Sequence, residues 1–227
     1  MRDYNPSAFL YSLHIPKCGG TSFTEVLKKW FWPGFHAHYF RHETNQMPFK
    51  PRKVKLLTHT LGVFPLCIHG HFEEEAGVFE CYPNASQFIT IIRDPLELQI
   101  SLFYDHKRRL KEEGNLYWKG RKVTMEHQDI DAWVAERPSF LLKFFPWDLD
   151  SGNFQEVIQK NFVYIGIAED LQRSVNQLAK KIGKKSLSIP HLNTSARDVY
   201  PSEEAIKVFK RKHKLEYALY EYVKSIN

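Results

Sequence analysis

Short apolar segments rich in β-branched and aromatic residues alternate along the chain with longer segments that have helical spacing. The apolar segments lie near residues 8–14, 66–70, 87–92 and 162–167, and the helical ones near 21–31, 95–112, 169–182 and 202–224. Continuous apolar segments of this length are typical of strands buried on both faces of a parallel sheet. The alternation predicts an α/β fold, with a central parallel sheet flanked by helices and ligands at the carboxyl ends of the strands.

Residues 113–150 follow this alternation less closely. We expect a loop over 114–123, a short helix over 129–136, and an aromatic segment at 140–147 that belongs to the core or in part to a cleft. Acceptor-facing loops are expected at 33–50 and 113–148. The sequence has no internal repeat and no Gly/Ser linker, so we expect a single domain over residues 1–227.

A glycine-rich segment, His14 to Ser22 (HIPKCGGTS), directly follows the first predicted strand. A tight turn between a strand and a helix directs free backbone N–H groups and the positive end of the helix at one point, which suits an anion. Lys17 adds a cation, while Thr21 and Ser22 add hydroxyl donors. Lys17 precedes the glycines, so the segment is not the G-x-x-x-x-G-K-[ST] loop of nucleotide triphosphatases. It also lacks the Arg that a cysteine phosphatase loop needs, because Thr24 stands six residues after Cys18.

A second anion site is predicted at the end of the strand 87–92. Arg93-Asp94-Pro95 follows that strand, with Asp94 suited to an N-cap and Pro95 to the first helical position. Ser101 lies on the helix that follows. Arg93 and Ser101 could hold one anion from the strand end and the helix side, or they could serve as an ion pair and a packing hydroxyl.

Together these segments resemble the PAPS-dependent sulfotransferases, in particular the carbohydrate branch of the heparan sulfate 2-O and 6-O type. In that family the loop PK-x-GGT-S holds the 5′-phosphosulfate of 3′-phosphoadenosine 5′-phosphosulfate (PAPS), and the RDP strand end and a later Ser hold the 3′-phosphate. The resemblance implies a P-loop-like nucleotide-binding sulfotransferase fold, PAPS as donor, 3′-phosphoadenosine 5′-phosphate (PAP) as product, and no metal. The donor-binding residues that it implies are Lys17, Cys18, Gly19, Gly20, Thr21, Ser22, Arg93 and Ser101.

The resemblance extends towards the C-terminus and also has two departures. Residues 162–171 are similar to a late strand and helix of the family, and 192–197 to a loop that closes over the nucleotide, which adds Asn193, Ser195 and Arg197 to the implied contacts. Cys18 stands where the family commonly has Thr; beside Lys17 at a helix N-terminus its thiol would be reactive if exposed. Leu98 stands where the family often has a further Arg.

The pair His69 and His71 offers a general base for an acceptor hydroxyl. Both follow the apolar segment 64–68, and in a strand they would point to the same face. In the 2-O-sulfotransferases the second His of a similar stretch is taken as the base, which implies His71; His69 is then a helper or a structural neighbour. We expect His36 and His38 in a surface loop, and His36, His38 or Glu73 to Glu75 as the next candidates for the base.

Composition narrows the possible partners only slightly. A net charge of +6 and a pI near 9.1 suit an anionic ligand, but no recognition motif for nucleic acid is present. Three cysteines form no disulfide framework, and no signal peptide or membrane-spanning segment is found, so we expect a cytoplasmic protein of microbial type, or a Golgi-lumen enzyme if the sequence is trimmed. A hydroxyl of a carbohydrate is the expected acceptor. A non-carbohydrate acceptor and a PAP-binding protein without catalysis remain as alternatives.

Overall fold

The computed structural model describes residues 1–39, 50–72, 77–114, 116–118, 121–123, 129–189 and 197–227. The protein has an α/β architecture around a five-stranded sheet whose strands are all parallel, in the order β2-β3-β1-β4-β7. A separate antiparallel hairpin is formed by β5 and β6. The strands are Leu10–Leu13 (β1), Phe35–His38 (β2), Cys67–Gly70 (β3), Gln87–Ile92 (β4), Leu116–Trp118 (β5), Arg121–Val123 (β6) and Phe162–Ile167 (β7).

The helices of the described residues are Gly20–Phe31 (α1), Lys53–Thr60 (α2), Val78–Cys81 (α3), Pro95–Glu113 (α4), Ile130–Glu136 (α5), Phe154–Asn161 (α6), Leu171–Lys181 (α7), Glu203–Lys212 (α8) and Lys214–Ser225 (α9). Helices α1, α6, α7 and α9 pack against strands of the sheet, in agreement with the alternating pattern, whereas α5 packs against α4 and α8. Short 3₁₀ turns lie at Leu142–Phe144 and Ala168–Asp170.

The predicted elements agree with the structure wherever the apolar pattern is strong. All residues of β1, β3 and β4 are buried, and in β7 only Ile167 is partly exposed. The predicted helix at 129–136 is confirmed as α5, and Phe144 and Phe145 belong to the core. The expected loop at 114–123 instead contains the β5–β6 hairpin.

Strand β2 and helices α2, α3 and α6 are absent from the sequence prediction. The residues of β2 are Phe-His-Ala-His, so the strand lacks the continuous apolar segment that identifies its neighbours. It pairs with β3 at the edge of the sheet, which places His36 and His38 in a strand rather than in the expected surface loop. The side chain of His38 is fully buried, where it contacts Tyr82 and Phe72.

The predicted C-terminal helix is divided at His213. The ring of His213 lies 3.1 Å from the carboxylate of Glu216, and both side chains are buried. Oε1 of Glu216 also accepts hydrogen bonds from the Ser139 hydroxyl and from the backbone N–H groups of Phe140 and Leu141, at 2.7, 3.0 and 2.7 Å. The pair therefore fixes the segment that follows α5 against the C-terminal helices.

The strand order places a topological switch point at the centre of the sheet. From β1 the chain crosses to β2 on one side, and from β4 it passes to β7 on the other side. In open parallel sheets, ligands bind in the crevice at the carboxyl ends of the strands where the connections diverge. Here that crevice lies between the ends of β1 and β4, which carry both predicted anion-binding segments.

We expect Glu216→Ala to lower the free energy of unfolding by about 3–5 kcal/mol, because it leaves the buried donors that bond to this carboxylate without an acceptor. Burial alone would raise the pKa of Glu216, but hydrogen bonds from His213 and Ser139 outweigh it and hold that pKa below its ordinary value. The stabilisation is therefore present above the ordinary carboxyl range and is lost as the pH falls through the folded-state pKa.

Urea unfolding of the wild type and the variant at neutral and acidic pH measures this difference. Glu221→Ala on the same helix is the matched control, because the Glu221–Lys224 pair is solvent-exposed. We expect the control to change stability by less than about 1 kcal/mol. Equal losses in the two variants would contradict the role of Glu216.

Candidate functional site

The loop between β1 and α1 has the backbone conformation of an anion-binding turn. Lys17 and Gly19 both have left-handed backbone angles, with φ of 66° and 74°. A lysine in this conformation is strained, and such residues cluster at binding and catalytic sites. Among the described residues no side chain caps the N-terminus of α1, so the N–H groups of its first turn remain suited to a ligand.

Gly20 is required because the ring of His14 packs directly against its backbone. A Cβ atom at Gly20 would lie 1.7 Å from Nε2 of His14. His14 lies at the end of β1, where its Nδ1 is 2.7 Å from the Tyr39 hydroxyl. Burial, followed by the neighbouring His69 and His71 rings, lowers the pKa of His14 well below its ordinary value. His14 is therefore neutral near pH 7, and it is a site residue that the sequence analysis did not identify.

The end of β4 joins this loop through Arg93. One guanidinium nitrogen of Arg93 donates a hydrogen bond of 3.1 Å to the carbonyl of Lys17, which holds the strained residue in place. Nitrogens of the same group lie 3.5 Å from Glu97 and 3.8 Å from Glu169. Asp94 caps α4, as predicted, by accepting from the N–H groups of Leu96 and Glu97 at 2.9 and 3.0 Å.

Arg197 reaches the same place from the C-terminal part of the chain. Its guanidinium is 2.7 Å from Glu97, and Tyr200 donates to the same carboxylate at 2.8 Å. Burial alone would raise the pKa of Glu97, but the hydrogen bonds from Arg197 and Tyr200 lower it overall. Glu97 is thus a charged carboxylate that orients two arginines at the edge of the site.

One cavity of about 600 Å³ brings the two predicted anion sites together. Its volume is within the range of small-molecule and cofactor sites. The predicted residues that line it are Lys17, Gly19, Gly20, Thr21, Ser22, His71, Arg93, Ser101 and Arg197. The residues that the sequence analysis did not assign are His14, Pro16, Ala168 and Glu169.

Three predicted site residues are placed differently or lie outside the described residues. The thiol of Cys18 is only 1% exposed and belongs to the core, so the condition for a reactive thiol is not met. Burial raises the pKa of Cys18 far above its ordinary value. Asn193 and Ser195 lie outside the described residues, as do the candidate bases Glu73 to Glu75. Leu98, which replaces a family Arg, is buried in the core.

His69 is structural in this arrangement. Thr24 donates its hydroxyl proton to the Gly20 carbonyl, so Nε2 of His69, 2.9 Å away, carries a proton and donates to Thr24. Nδ1 of His69 then accepts from the Ser12 hydroxyl at 2.9 Å. Burial, followed by the nearby His71, lowers the pKa of His69 to about 3. Both nitrogens of this buried imidazole therefore have partners within the protein, which links β3 to β1 and α1.

His71 is held differently, at the edge of the cavity. Its Nδ1 lies 2.8 Å from the carbonyl oxygen of His14; since a carbonyl only accepts, Nδ1 carries the proton. In the neutral ring Nε2 therefore has the lone pair that a general base needs. The His14 ring stacks on the rings of both His69 and His71, with centroids 5.0 and 4.6 Å away, so both predicted histidines lie on the face of the sheet that His14 covers.

Lys17 lies between this cavity and a second one of about 330 Å³. Its ammonium group is 3.1 Å from the carboxylate of Asp105 on α4, and Arg108 lies 3.0 Å from the same oxygen. Burial alone would raise the pKa of Asp105, but hydrogen bonds from Arg108 and Lys17 lower it overall. Pro16, Lys17 and His71 line both cavities.

No known family model matches the sequence, and no curated protein matches it. Among solved structures, the fold is similar to the crystal structure of mouse sulfotransferase SULT7A1 complexed with PAP. The sequence identity is 13%, the TM-score is 0.46, and the match covers 92% of this chain and 66% of that chain. The chain therefore corresponds to about 66% of the length of the mouse protein.

In the part of the chain that the structure describes, no helix is both long and apolar enough to cross a membrane. Within the same residues, His, Cys, Asp and Glu side chains form no group of three or more that could hold a metal ion.

We expect Cys81 to be alkylated by iodoacetamide much faster than Cys18 or Cys67 in the native protein. Cys18 and Cys67 are buried and Cys81 is partly exposed, although burial raises the pKa of all three thiols. Mass spectrometry of timed reactions, with a urea-unfolded sample as the fully reactive control, gives the three rates. Rapid native modification of Cys18 would contradict the inward orientation of its side chain.

Proposed function

We propose that the protein is a PAPS-dependent sulfotransferase that moves the sulfuryl group of PAPS to a hydroxyl of an acceptor. The observation that carries this proposal is the single cavity lined both by the loop from Lys17 to Ser22 and by Arg93 and Ser101. The sequence resemblance assigns these two segments to the two anionic ends of one nucleotide. Their meeting at the switch point of the sheet supports that assignment.

The residues of the cavity fit such a donor. Lys17, Arg93 and Arg197 supply cationic side chains, and the uncapped first turn of α1 supplies backbone N–H groups. The carboxylates Glu97 and Glu169 already pair with the arginines, so an incoming phosphate would share or exchange these contacts. Forked guanidinium groups are well matched to phosphate oxygens. Lys17 and the α1 turn would hold the phosphosulfate, and Arg93 with Ser101 the 3′-phosphate.

The chemistry that the bound donor supplies is an activated sulfuryl group on a phosphate leaving group. Nε2 of His71 accepts the proton of the acceptor hydroxyl, whose oxygen forms the new bond to sulfur. The ammonium of Lys17 stabilises the negative charge on the phosphate oxygen as the sulfur–oxygen bond to it breaks. His14 orients His71 through its backbone carbonyl and the stacked rings. The proton remains on His71 until solvent removes it.

A carbohydrate hydroxyl is the acceptor that we propose, on the basis of the sequence resemblance. A small non-carbohydrate acceptor is the alternative. Incubation with labelled PAPS and a panel of sugars, phenols and peptides tests both. Sulfonation of none of them by a protein that binds PAP would favour a nucleotide-binding protein without catalysis.

We expect PAP to raise the melting temperature of the protein, because a ligand that binds only the native state stabilises it. Arg93→Ala should abolish most of this shift, since it removes a forked contact to the 3′-phosphate. Ser101→Ala should weaken binding by about 1 kcal/mol, the size of an ordinary hydrogen bond. Arg211→Ala is the control, because that exposed residue on α8 does not line the cavity.

Thermal-shift titrations with PAP, ATP and ADP separate this proposal from a kinase. A folded Arg93→Ala protein with unchanged PAP affinity would contradict the assigned 3′-phosphate site. A preference for ATP over PAP would contradict the proposed donor.

Lys17→Ala and His71→Ala should have different effects on turnover and PAP affinity. Lys17 acts on charge that grows in the transition state, so Lys17→Ala should lower turnover by several orders of magnitude, with a smaller loss of PAP affinity. His71→Ala should lower turnover about 10²–10⁴-fold and leave PAP affinity nearly unchanged. Only neutral imidazole is a base, so wild-type activity should fall as the pH drops through the titration of an imidazole.

Calorimetry with PAP and a pH–rate profile measure these effects. The acidic limb of the profile should disappear in His71→Ala. Nearly full activity in His71→Ala, together with an inactive but folded His69→Ala, would transfer the role of base to His69. Activity in both variants would exclude a base from this pair.

A further inference from the structure

The second cavity is formed by one face of α4 and the segment after α5. Gln99, Leu102, His106 and Arg109 follow one another on α4 at intervals of three or four residues, so they share a face of the helix. Residues 137–140 and Lys143 form the opposite wall. Lys17 and His71, the two proposed catalytic groups, lie at its junction with the larger cavity. A molecule bound here would thus present a group directly to them.

The walls of this cavity are positively charged. Arg109, Arg137 and Lys143 line it together with Lys17, whereas Asp105 is the acidic residue among the lining side chains. The carboxylate of Asp105 is already shared by Lys17 and Arg108. The side chain of Arg109 is partly buried and lies 3.4 Å from that of Glu113 in the last turn of α4. Among the described residues that line the cavity, four side chains are basic and one is acidic.

The positive charge around the cavity affects the pKa of His106. Burial, followed by repulsion from Arg137, Arg109 and Lys17, lowers its pKa to about 4 even though Asp105 acts in the opposite direction. Its Nδ1 is buried and has no hydrogen-bond partner among the described residues. The neutral ring therefore adds no charge to the wall of the cavity.

Most of the remaining residues that line the cavity are apolar, and contacts with Glu216 and Trp133 hold the wall after α5 in place. Leu102, Pro138 and Phe140 provide hydrophobic contact surface. Glu216 holds the backbone at 139–141, and the guanidinium of Arg137 lies 3.7 Å from the ring centroid of the buried Trp133. A site whose polar groups are fixed by packing and buried hydrogen bonds is preorganised for its ligand.

We propose that this second cavity binds the acceptor, and that the acceptor is a hydroxy acid: a ring-sized molecule or unit that carries a carboxylate besides its reactive hydroxyl. The hydroxyl lies towards His71 and Lys17, the ring contacts Leu102, Pro138 and Phe140, and the carboxylate lies among Arg109, Arg137 and Lys143. This inference rests on the proposed sulfotransferase activity and narrows its acceptor. An acidic sugar and an aromatic hydroxy acid share this chemistry, and experiment distinguishes them.

Binding to the PAP-saturated protein tests the inference without turnover. Calorimetry would compare two acids, the methyl glycoside of glucuronic acid and 4-hydroxyphenylacetic acid, with their neutral carboxamides. At least one acid should bind about tenfold or more tightly than its own amide, the ratio expected for a charge-assisted contact. Tighter binding of the glucuronic acid glycoside would identify an acidic sugar as the acceptor, and tighter binding of 4-hydroxyphenylacetic acid an aromatic hydroxy acid. Equal binding of acid and amide, or binding of neither acid, would overturn the proposal.

Charge-removing variants locate the contact. Arg109→Gln and Lys143→Gln should each raise the dissociation constant and the KM of the preferred acid several-fold, and the double variant more, with PAP affinity unchanged. Their effect on the neutral amide should be small. Arg211→Gln removes the same charge from an exposed position on α8 outside the cavity and should change neither value. Unchanged acid affinity in a folded double variant would overturn the assignment of these residues.

The two proposals fail in distinguishable ways. Loss of the PAP-induced thermal shift in the wild type would contradict the sulfotransferase assignment. In that case, the affinities of the ligand-free protein for the acid and for its amide would still show whether the second cavity prefers a carboxylate. PAP binding with equal sulfonation of acid and amide would leave the sulfotransferase assignment intact and overturn the hydroxy-acid acceptor.

Discussion

The site depends on how the end of β1 is held between its two neighbours. Thr90 on β4 donates a hydrogen bond of 2.8 Å to the carbonyl of Leu13. On the other side the N–H of His14 donates to the Gly70 carbonyl, and the His71 ring donates to the carbonyl of His14, each at 2.8 Å. Three parallel strands therefore end at fixed heights around one loop. The positions of Lys17, Arg93 and His71 follow from this alignment, because each residue comes a few positions after one of those strand ends.

The same alignment explains why so many carboxylates surround a cavity suited to anions. Arg93 and Arg197 meet Glu97, and Lys17 meets Asp105, at distances of 2.7 to 3.5 Å. Partly buried cations need partners in the absence of a ligand, and acidic side chains on α4 supply them. These contacts hold the basic groups in defined orientations and exclude alternative rotamers. An anionic ligand would have to replace these carboxylates, which would lower its net affinity but leave the basic groups in the same geometry.

The sequence predicted the fold, and the two segments that line one cavity, wherever local chemistry is explicit. Apolar segments identified four of the five parallel strands, and strand-to-helix turns with Lys17 and Arg93 identified the ends that meet. It did not predict β2, because an edge strand with two histidines has no hydrophobic signature. The hydrogen bonds of His69 and the burial of the Cys18 thiol depend on contacts with residues distant in sequence or on core packing. Side-chain direction at such positions is set by tertiary packing, which local spacing does not encode.

The boundary between the two cavities bears on the geometry that the proposed transfer requires. In-line transfer requires the incoming oxygen and the leaving oxygen on opposite sides of the transferred group. Pro16, Lys17 and His71 line both cavities, so under the proposed function each cavity would hold one reactant and the reacting groups would meet at these shared residues. In that reaction His71 would face the acceptor, while Lys17 would exchange its contact with Asp105 for one with the donor. The Lys17–Asp105 ion pair would then connect acceptor binding and donor binding through one ammonium group.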